Sequence, residues 1–328
     1  MKTGHFVISL DFEIYWGVRD ITSIDGYKNN LLGVRKAIPS MLEMFSKYRV
    51  TTTFATVGFL FFKNKSELSN GLPSQIPAYT NKILSPYEGH LNGVGEDENN
   101  DPFHYGYSLI EQIQKHDQEI GCHTFSHYYC LEEGQTIDDF KADLAAAKNI
   151  ALKRGITLKS FVFPRNQYNQ AYLKVCSDEG ITSFRGNEKS KLFSAKNYGG
   201  FTSYRRPFRL LDAYLNLSGH NCYNENQMKN SVPVNIPASR FLRPYSKKLA
   251  MLDGLQLKRI TNSMTYAAKN MLAYHIWWHP HNFGINTEKN ILFLEKILIH
   301  FQKLNTEFGF QSSSMTQLAD ILSKKDEG

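Results

Sequence analysis

Stretches rich in β-branched residues and stretches with apolar positions at three-and-four spacing take turns along most of the 328-residue chain. Phe6 to Ile14 predicts a first strand, and Asp11 and Glu13, two residues apart, project from one face of it. Over Leu31 to Tyr48 the apolar residues Val34, Ile38, Met41, Leu42 and Phe45 form one helical stripe, with Pro39 a point for a kink. Val50 to Val57 is β-branched and predicts a second strand ending at Gly58. Further strands are predicted at Glu119 to His123, Ser160 to Phe163, Thr182 to Arg185 and Met271 to His279. Helices are predicted over Tyr107 to His116, from Thr136 with Asp139 three residues on, over Asn169 to Glu179 and over Thr287 to Leu304. Ser314 with Gln317 forms a capping box for a last one. This alternation implies parallel βαβ units and an α/β fold.

Two regions break the rhythm. From Lys63 to Tyr105, Pro73, Pro77, Pro86 and Pro102 stand among Asn, Ser, Gly and acidic residues, which is the composition of a long irregular insertion after the second strand. From Asn187 to Asp253 no period is legible, and this stretch is read as a subdomain or long connections.

Composition narrows the class. With 41% hydrophobic, 21% charged and 13% aromatic residues the chain is globular and not disordered. No segment reaches the roughly 18 unbroken apolar residues of a membrane span, so no transmembrane segment is expected. An acid arrives at Asp11 before any secretory apolar core is complete, which predicts a cytoplasmic protein. Cys122, Cys130, Cys176 and Cys222 make no CxxC and are read as reduced thiols. The net charge of +7 is spread as pairs such as Lys247-Lys248, which suits an anionic substrate weakly and predicts no nucleic-acid partner.

Residues able to do chemistry stand where predicted strands end: Asp11 and Glu13, His123 and His127, Arg165, and His279. In parallel α/β barrels that end forms the active face. The four-residue spacing in GCHTFSH lets both imidazoles reach one cation if the segment turns helically, although by itself it also fits two capping histidines. Asp11 and Glu13 are read either as functional carboxylates or as ion-pair partners of a residue such as Arg165. Of Trp277 and Trp278, one is assigned to the core, and the other can offer a flat face to a sugar ring. His275 lies deeper in its strand and is read as a core histidine.

SLDFE at 9–13, HTFSH at 123–127, FPRNQ at 163–167 and the late strand ending at His279 together resemble the polysaccharide deacetylase family, also called the NodB-homology or carbohydrate esterase 4 group. HTFSH fits the family's H-[ST]-x-x-H metal motif in full. The family's two adjacent aspartates are replaced by a D-x-E pair, similar to the D-x-D of a deformylase acting on lipid-linked aminoarabinose, and Pro164 precedes Arg165 where the family reads Arg-x-Pro. The likeness runs through about Arg185 and resumes near Met271.

The resemblance implies a distorted (β/α)7-type barrel of the NodB-homology fold. One catalytic domain would span 1–328, with insertions at 63–105 and 187–270, the first bordering the active face. It implies one divalent metal, zinc being the expected ion, on His123, His127 and Glu13, with Asp11 as base; exchange of the two acids' roles is the alternative. Arg165 would keep Asp11 ionised, and His279, rather than His281 or His275, would protonate the departing amine. The implied function is removal of an N-acyl group, acetyl foremost, from an amino sugar during cytosolic synthesis of a surface polysaccharide or glycolipid precursor. The substrate would be nucleotide- or lipid-linked. The alternative is a catalytically inactive carbohydrate-binding protein on the same fold.

Overall fold

Strand β1 (His5–Phe12) is buried along its whole length and lies inside the sheet of the computed structural model, which describes residues 1–189 and 205–324. The remaining strands are β2 (Thr53–Thr56), β3 (Glu119–Cys122), β4 (Ser160–Phe161), β5 (Ser183–Phe184), β6 (Val234–Asn235), β7 (Arg240–Phe241), β8 (Ala273–Trp278) and β9 (Gln311–Ser312). Their order is β6-β5-β4-β3-β2-β1-β8-β7, with β9 also on β1, and the paired strands run parallel. Opposite Asp11 stands Ala55, and opposite Leu10 stands Trp278, so the carboxyl ends of β1, β2 and β8 arrive together.

β6 and β7 sit at opposite ends of this order yet are joined by residues 236–239 alone. In that segment the Ile236 N–H donates to Phe184 O at 2.9 Å and the Ala238 N–H to Gly186 O at 2.9 Å. The Ser239 N–H donates to His275 O at 2.7 Å. One irregular stretch thus ties both edges, and the curled sheet is the distorted parallel α/β barrel that the strand–helix alternation implies.

Helix Ile24–Lys47 buries Leu31, Val34, Ala37, Ile38, Met41, Leu42 and Phe45 on one face and runs through Pro39 as a single element. It starts ahead of the apolar stripe because Ser23 caps it, its side chain accepting from the Gly26 N–H. Thr136 and Asp139 form a reciprocal capping box for helix Ile137–Lys153, and Ser314 and Gln317 do so for helix Met315–Ser323. Helix Asp253–Lys269 escapes sequence reading because its buried face includes Gln256, Arg259 and Ser263, which blur the apolar stripe. The four cysteines are free thiols, and no helix among the described residues is long and apolar enough to cross a membrane.

Residues 63–105 hold helix Lys65–Asn70 and two single 3₁₀ turns, and they pack against the loop after β1. There the Tyr15 N–H donates to Phe103 O at 3.3 Å, and Trp16 Nε1 donates to His104 O at 2.8 Å. The stretch without a legible period lies partly outside the described residues; its described part supplies β6, β7 and helix Arg205–Asp212. Thr136→Ala removes one half of a capping box and should destabilise the protein by about 1 kcal/mol, read as a lower urea midpoint with an unchanged m value.

Candidate metal centre and active site

Glu13 follows β1 by one residue and His123 follows β3 by one, so the parallel strands on either side of β2 deliver them to the same end of the sheet. Glu13 Oε2 lies 3.2 Å from His123 Nε2 and 3.1 Å from His127 Nε2, and all three residues are buried. Their far nitrogens are already engaged. His123 Nδ1 donates to Val162 O at 2.8 Å, and His127 Nδ1 donates to the Tyr129 hydroxyl at 3.0 Å, which in turn faces Asp20 at 3.5 Å. These contacts put each imidazole proton on Nδ1 and leave two Nε2 lone pairs pointing at a carboxylate oxygen. Three such groups meeting out of water call for a proton or a metal ion between them, and two imidazoles with a carboxylate suit a divalent ion such as zinc. The residues present therefore fit the metal that the fold family implies.

His127 reaches this point through a turn and not a helix. Thr124 and His127 both hold left-handed backbone, with φ of 62° and 59°, at a cost of order 1–3 kcal/mol each for non-glycine residues. Asp143, on helix Ile137–Lys153, holds the turn by accepting from the N–H groups of Phe125 (2.7 Å) and Ser126 (3.1 Å) and from the Ser126 hydroxyl. Burial nevertheless raises the Asp143 carboxyl to about 6. On the other side Gly17 leaves room for Glu13, since a Cβ there would fall 1.9 Å from the Glu13 carboxyl carbon.

Asp11 does not meet Arg165. Arg185, directly after β5, takes both its oxygens, Nη1 to Oδ1 at 2.6 Å and Nη2 to Oδ2 at 2.7 Å, and stacks 4.2 Å over the Trp277 ring. Arg165 instead pairs with Asp20 and lies 4.3 Å over the Tyr129 ring. The 3₁₀ turn Pro164–Asn166, with Arg165 itself at φ 54°, carries that side chain to the loop after β1, so the expected Arg165–Asp11 pair is replaced by Arg185–Asp11. The available signal for Arg185 was its place at the end of a predicted strand.

Burial works against the Asp11 charge, but Arg185, with His123 and His279, outweighs it and sets the carboxyl below its ordinary value. Burial likewise opposes ionisation of Glu13, yet His279, His123 and His127 hold it well below the carboxylate range. Burial keeps the His127 imidazole low, against the pull of Glu13, which favours its neutral form.

His279 Nε2 stands 3.6 Å from Glu13 Oε1 and 3.8 Å from Asp11 Oδ2, while its Nδ1 accepts from the Asn282 amide at 3.3 Å. His281 stacks on it at 5.1 Å, and burial together with His279 drives the His281 imidazole down to about 3. His275 is a core residue bonded to Ser9 Oγ at 2.8 Å and Ile236 O at 3.0 Å. Trp278 is buried, and part-buried Trp277 lines the cavity.

Asp11, Glu13, His123, His127, Arg165, Trp277, His279 and His281 line a cavity of about 550 Å³, whose further wall comes from the 187–270 region through Glu188, Arg209, Arg240 and Arg243. No residue of 63–105 is among its lining residues. That insertion acts one layer back, where the Tyr79 hydroxyl accepts from the Tyr129 N–H at 2.8 Å.

Residues 21–184, half of the chain, match the family described as polysaccharide deacetylase, and the chain belongs to that family. By class it is a hydrolase of the polysaccharide deacetylase type. The match starts after Asp11 and Glu13 and stops before Arg185. No curated protein matches the chain. Among solved structures, a Mycobacterium smegmatis protein assigned as a polysaccharide deacetylase aligns with TM-score 0.59 and 12% identity over 99% of this chain and 92% of its own. A Pseudomonas aeruginosa PAO1 protein so assigned gives 0.55 and 8% over 98% and 90%. The PuuE allantoinase gives 0.52 and 8% over 96% and 88%. At such identities the likeness concerns the fold, and an allantoinase on it means that the fold alone does not name a substrate.

Tyr129→Phe removes the hydroxyl that accepts the His127 Nδ1 proton and should weaken zinc binding by about 10-fold or more, measured by chelator competition. Unchanged affinity would mean that the hydroxyl does not orient the ligand.

Proposed function

We propose that the protein removes an N-acyl group, acetyl foremost, from an amino sugar linked to a nucleotide or a lipid during precursor synthesis in the cytoplasm. The observation that carries this reading is the meeting of Glu13, His123 and His127 with the Asp11–Arg185 pair and His279 in one cavity at the carboxyl ends of the strands. Glu13, His123 and His127 would hold one divalent ion, zinc foremost, whose positive charge polarises an amide carbonyl and makes water more acidic.

Asp11, kept ionised by Arg185 and outside the three-ligand cluster, is the base that takes the proton of the attacking water. That division makes Glu13 the ligand. His279, open to the cavity and aimed between the two carboxylates by Asn282, gives a proton to the departing amine. Trp277 offers the sugar ring an apolar wall, stiffened by the guanidinium of Arg185 on it. Arg165 acts at a distance from the reacting atoms by holding Asp20 beside Tyr129. The cationic wall of Arg209, Arg240 and Arg243 supports a substrate that bears phosphate.

The test is release of acetate or formate from acetylated and formylated UDP-sugars and polyprenyl-linked sugars. Asp11→Asn should keep zinc but lose at least about 100-fold in kcat, whereas Glu13→Gln should lose zinc. The opposite pattern exchanges their roles, and turnover and zinc content unaffected by either change would defeat the reading. Arg185 also sets a pH dependence. Its attraction lowers the Asp11 carboxyl against the effect of burial, so Arg185→Gln leaves burial less opposed and raises it. The acidic limb of the kcat/KM profile should therefore move to higher pH, and a limb that stays in place would remove Asp11 from the base role.

A further inference from the structure

Helix Arg205–Asp212, with the turn that continues it, carries two unlike faces at the rim of the cavity. Arg209 and Ala213, one helical turn apart, line the cavity. Between them Asp212 is fully buried, accepting from Arg240 at 3.0 Å and from the N–H groups of Leu217 (3.1 Å) and Ser218 (2.6 Å). The other side presents Phe208, Leu211 and Leu215, spaced i, i+3, i+7, with 51%, 47% and 49% of their surfaces open. Large apolar side chains aligned on a helix anchored this firmly from below are the mark of a surface that meets something other than water.

A second element borders the same cavity. Arg243 lines the cavity, and past it the turn Lys247–Leu252 leads into helix Asp253–Lys269. Lys247, Lys248, Met251 and Leu255 are exposed there, Met251 by 99%. Tyr214, just past the first element, lies near Arg243 and Asp253 of the second. From Arg243 to Lys258 the chain has four basic residues, Arg243, Lys247, Lys248 and Lys258, against the one acid Asp253.

We propose that this face docks on an anionic membrane surface and presents the cavity to an amino sugar carried on a lipid through a phosphoryl link. The substrate half of this proposal rests on the hydrolase reading above. The apolar side chains of Phe208, Leu211, Leu215, Met251 and Leu255 enter the boundary between headgroups and acyl chains. Lys247 and Lys248 keep their ammonium groups among anionic headgroups. That charge complementarity decides the occupant, since a neutral protein partner would not call for lysines among the apolar residues. Arg209 and Arg243 lie just inside the rim, between the docked face and the catalytic residues, where the link from lipid to sugar passes, and guanidinium matches phosphoryl oxygens in pairs. A nucleotide-linked sugar would use the arginines but would leave the apolar face without a purpose.

The experiment is co-sedimentation of the full chain with extruded vesicles of phosphatidylcholine, with and without phosphatidylglycerol. The chain should sediment with the phosphatidylglycerol vesicles and much less with phosphatidylcholine alone. The triple variant Phe208→Ser, Leu211→Ser, Met251→Ser, altered only at exposed positions, should partition at least about tenfold less while keeping its zinc content as a sign of intact folding. Lys247→Glu with Lys248→Glu should abolish the preference for phosphatidylglycerol. Three results would overturn the docking face: no sedimentation with either vesicle, undiminished partitioning of the triple variant, or a self-associated chain that the triple variant turns monomeric. Vesicle binding by a chain that releases no acyl group from any sugar would uphold the docking face and overturn the substrate half together with the hydrolase reading.

Discussion

Asp11 and Glu13 are both almost wholly out of water at the end of one strand, and an unpaired carboxylate in such a place costs several kcal/mol. Much of the arrangement around them answers that cost. Arg185 meets Asp11 with two parallel hydrogen bonds, the strongest geometry open to a carboxylate, and two imidazoles meet Glu13 in a cluster able to hold a cation. For this to happen the ends of β3, β5 and β8 must all come to the end of β1. A parallel sheet curled around a central β1 does so, because parallel strands deliver their carboxyl ends to one side.

Behind these contacts stands a second layer whose work is orientation. Asp143 keeps the HTFSH turn in a backbone conformation that two of its residues would not choose, and Tyr129, backed by Asp20 and Arg165, sets the tautomer of His127. Most links in this layer are buried polar groups with their partners, which fixes His127 beside Glu13 and His123 in a cluster that fits one ion. The part of the chain that matches the family contains Asp143, Tyr129, Arg165, His123 and His127, while Asp20, the acid pair, Arg185 and His279 lie outside it.

Much of this was legible along the chain because it rests on local physics. Strand alternation puts Asp11 and Glu13 on one face, capping boxes mark helix starts at Thr136 and Ser314, and four-residue spacing couples His123 to His127. His279 stands at the end of a strand that its own residues predict. Of these readings only the histidine pair needs a partner from elsewhere, Asp143, which holds its turn.

Partner choice is what the chain by itself left undecided. Arg165 and Arg185 both follow predicted strands, and nothing near either one says that Asp11 is met from 174 residues away by the second while the first turns to Asp20. The two-residue strands β6 and β7 are held by their neighbours and carry little period of their own. The polar buried face of helix Asp253–Lys269 hides in the same way. The cavity wall of Glu188, Arg209, Arg240 and Arg243 exists only once the segment from β6 to β7 ties the two edges of the sheet. Local sequence determined which residues were able to act; the closing of the barrel decided which of them meet, because burial of charge is settled between strand ends and not along a strand.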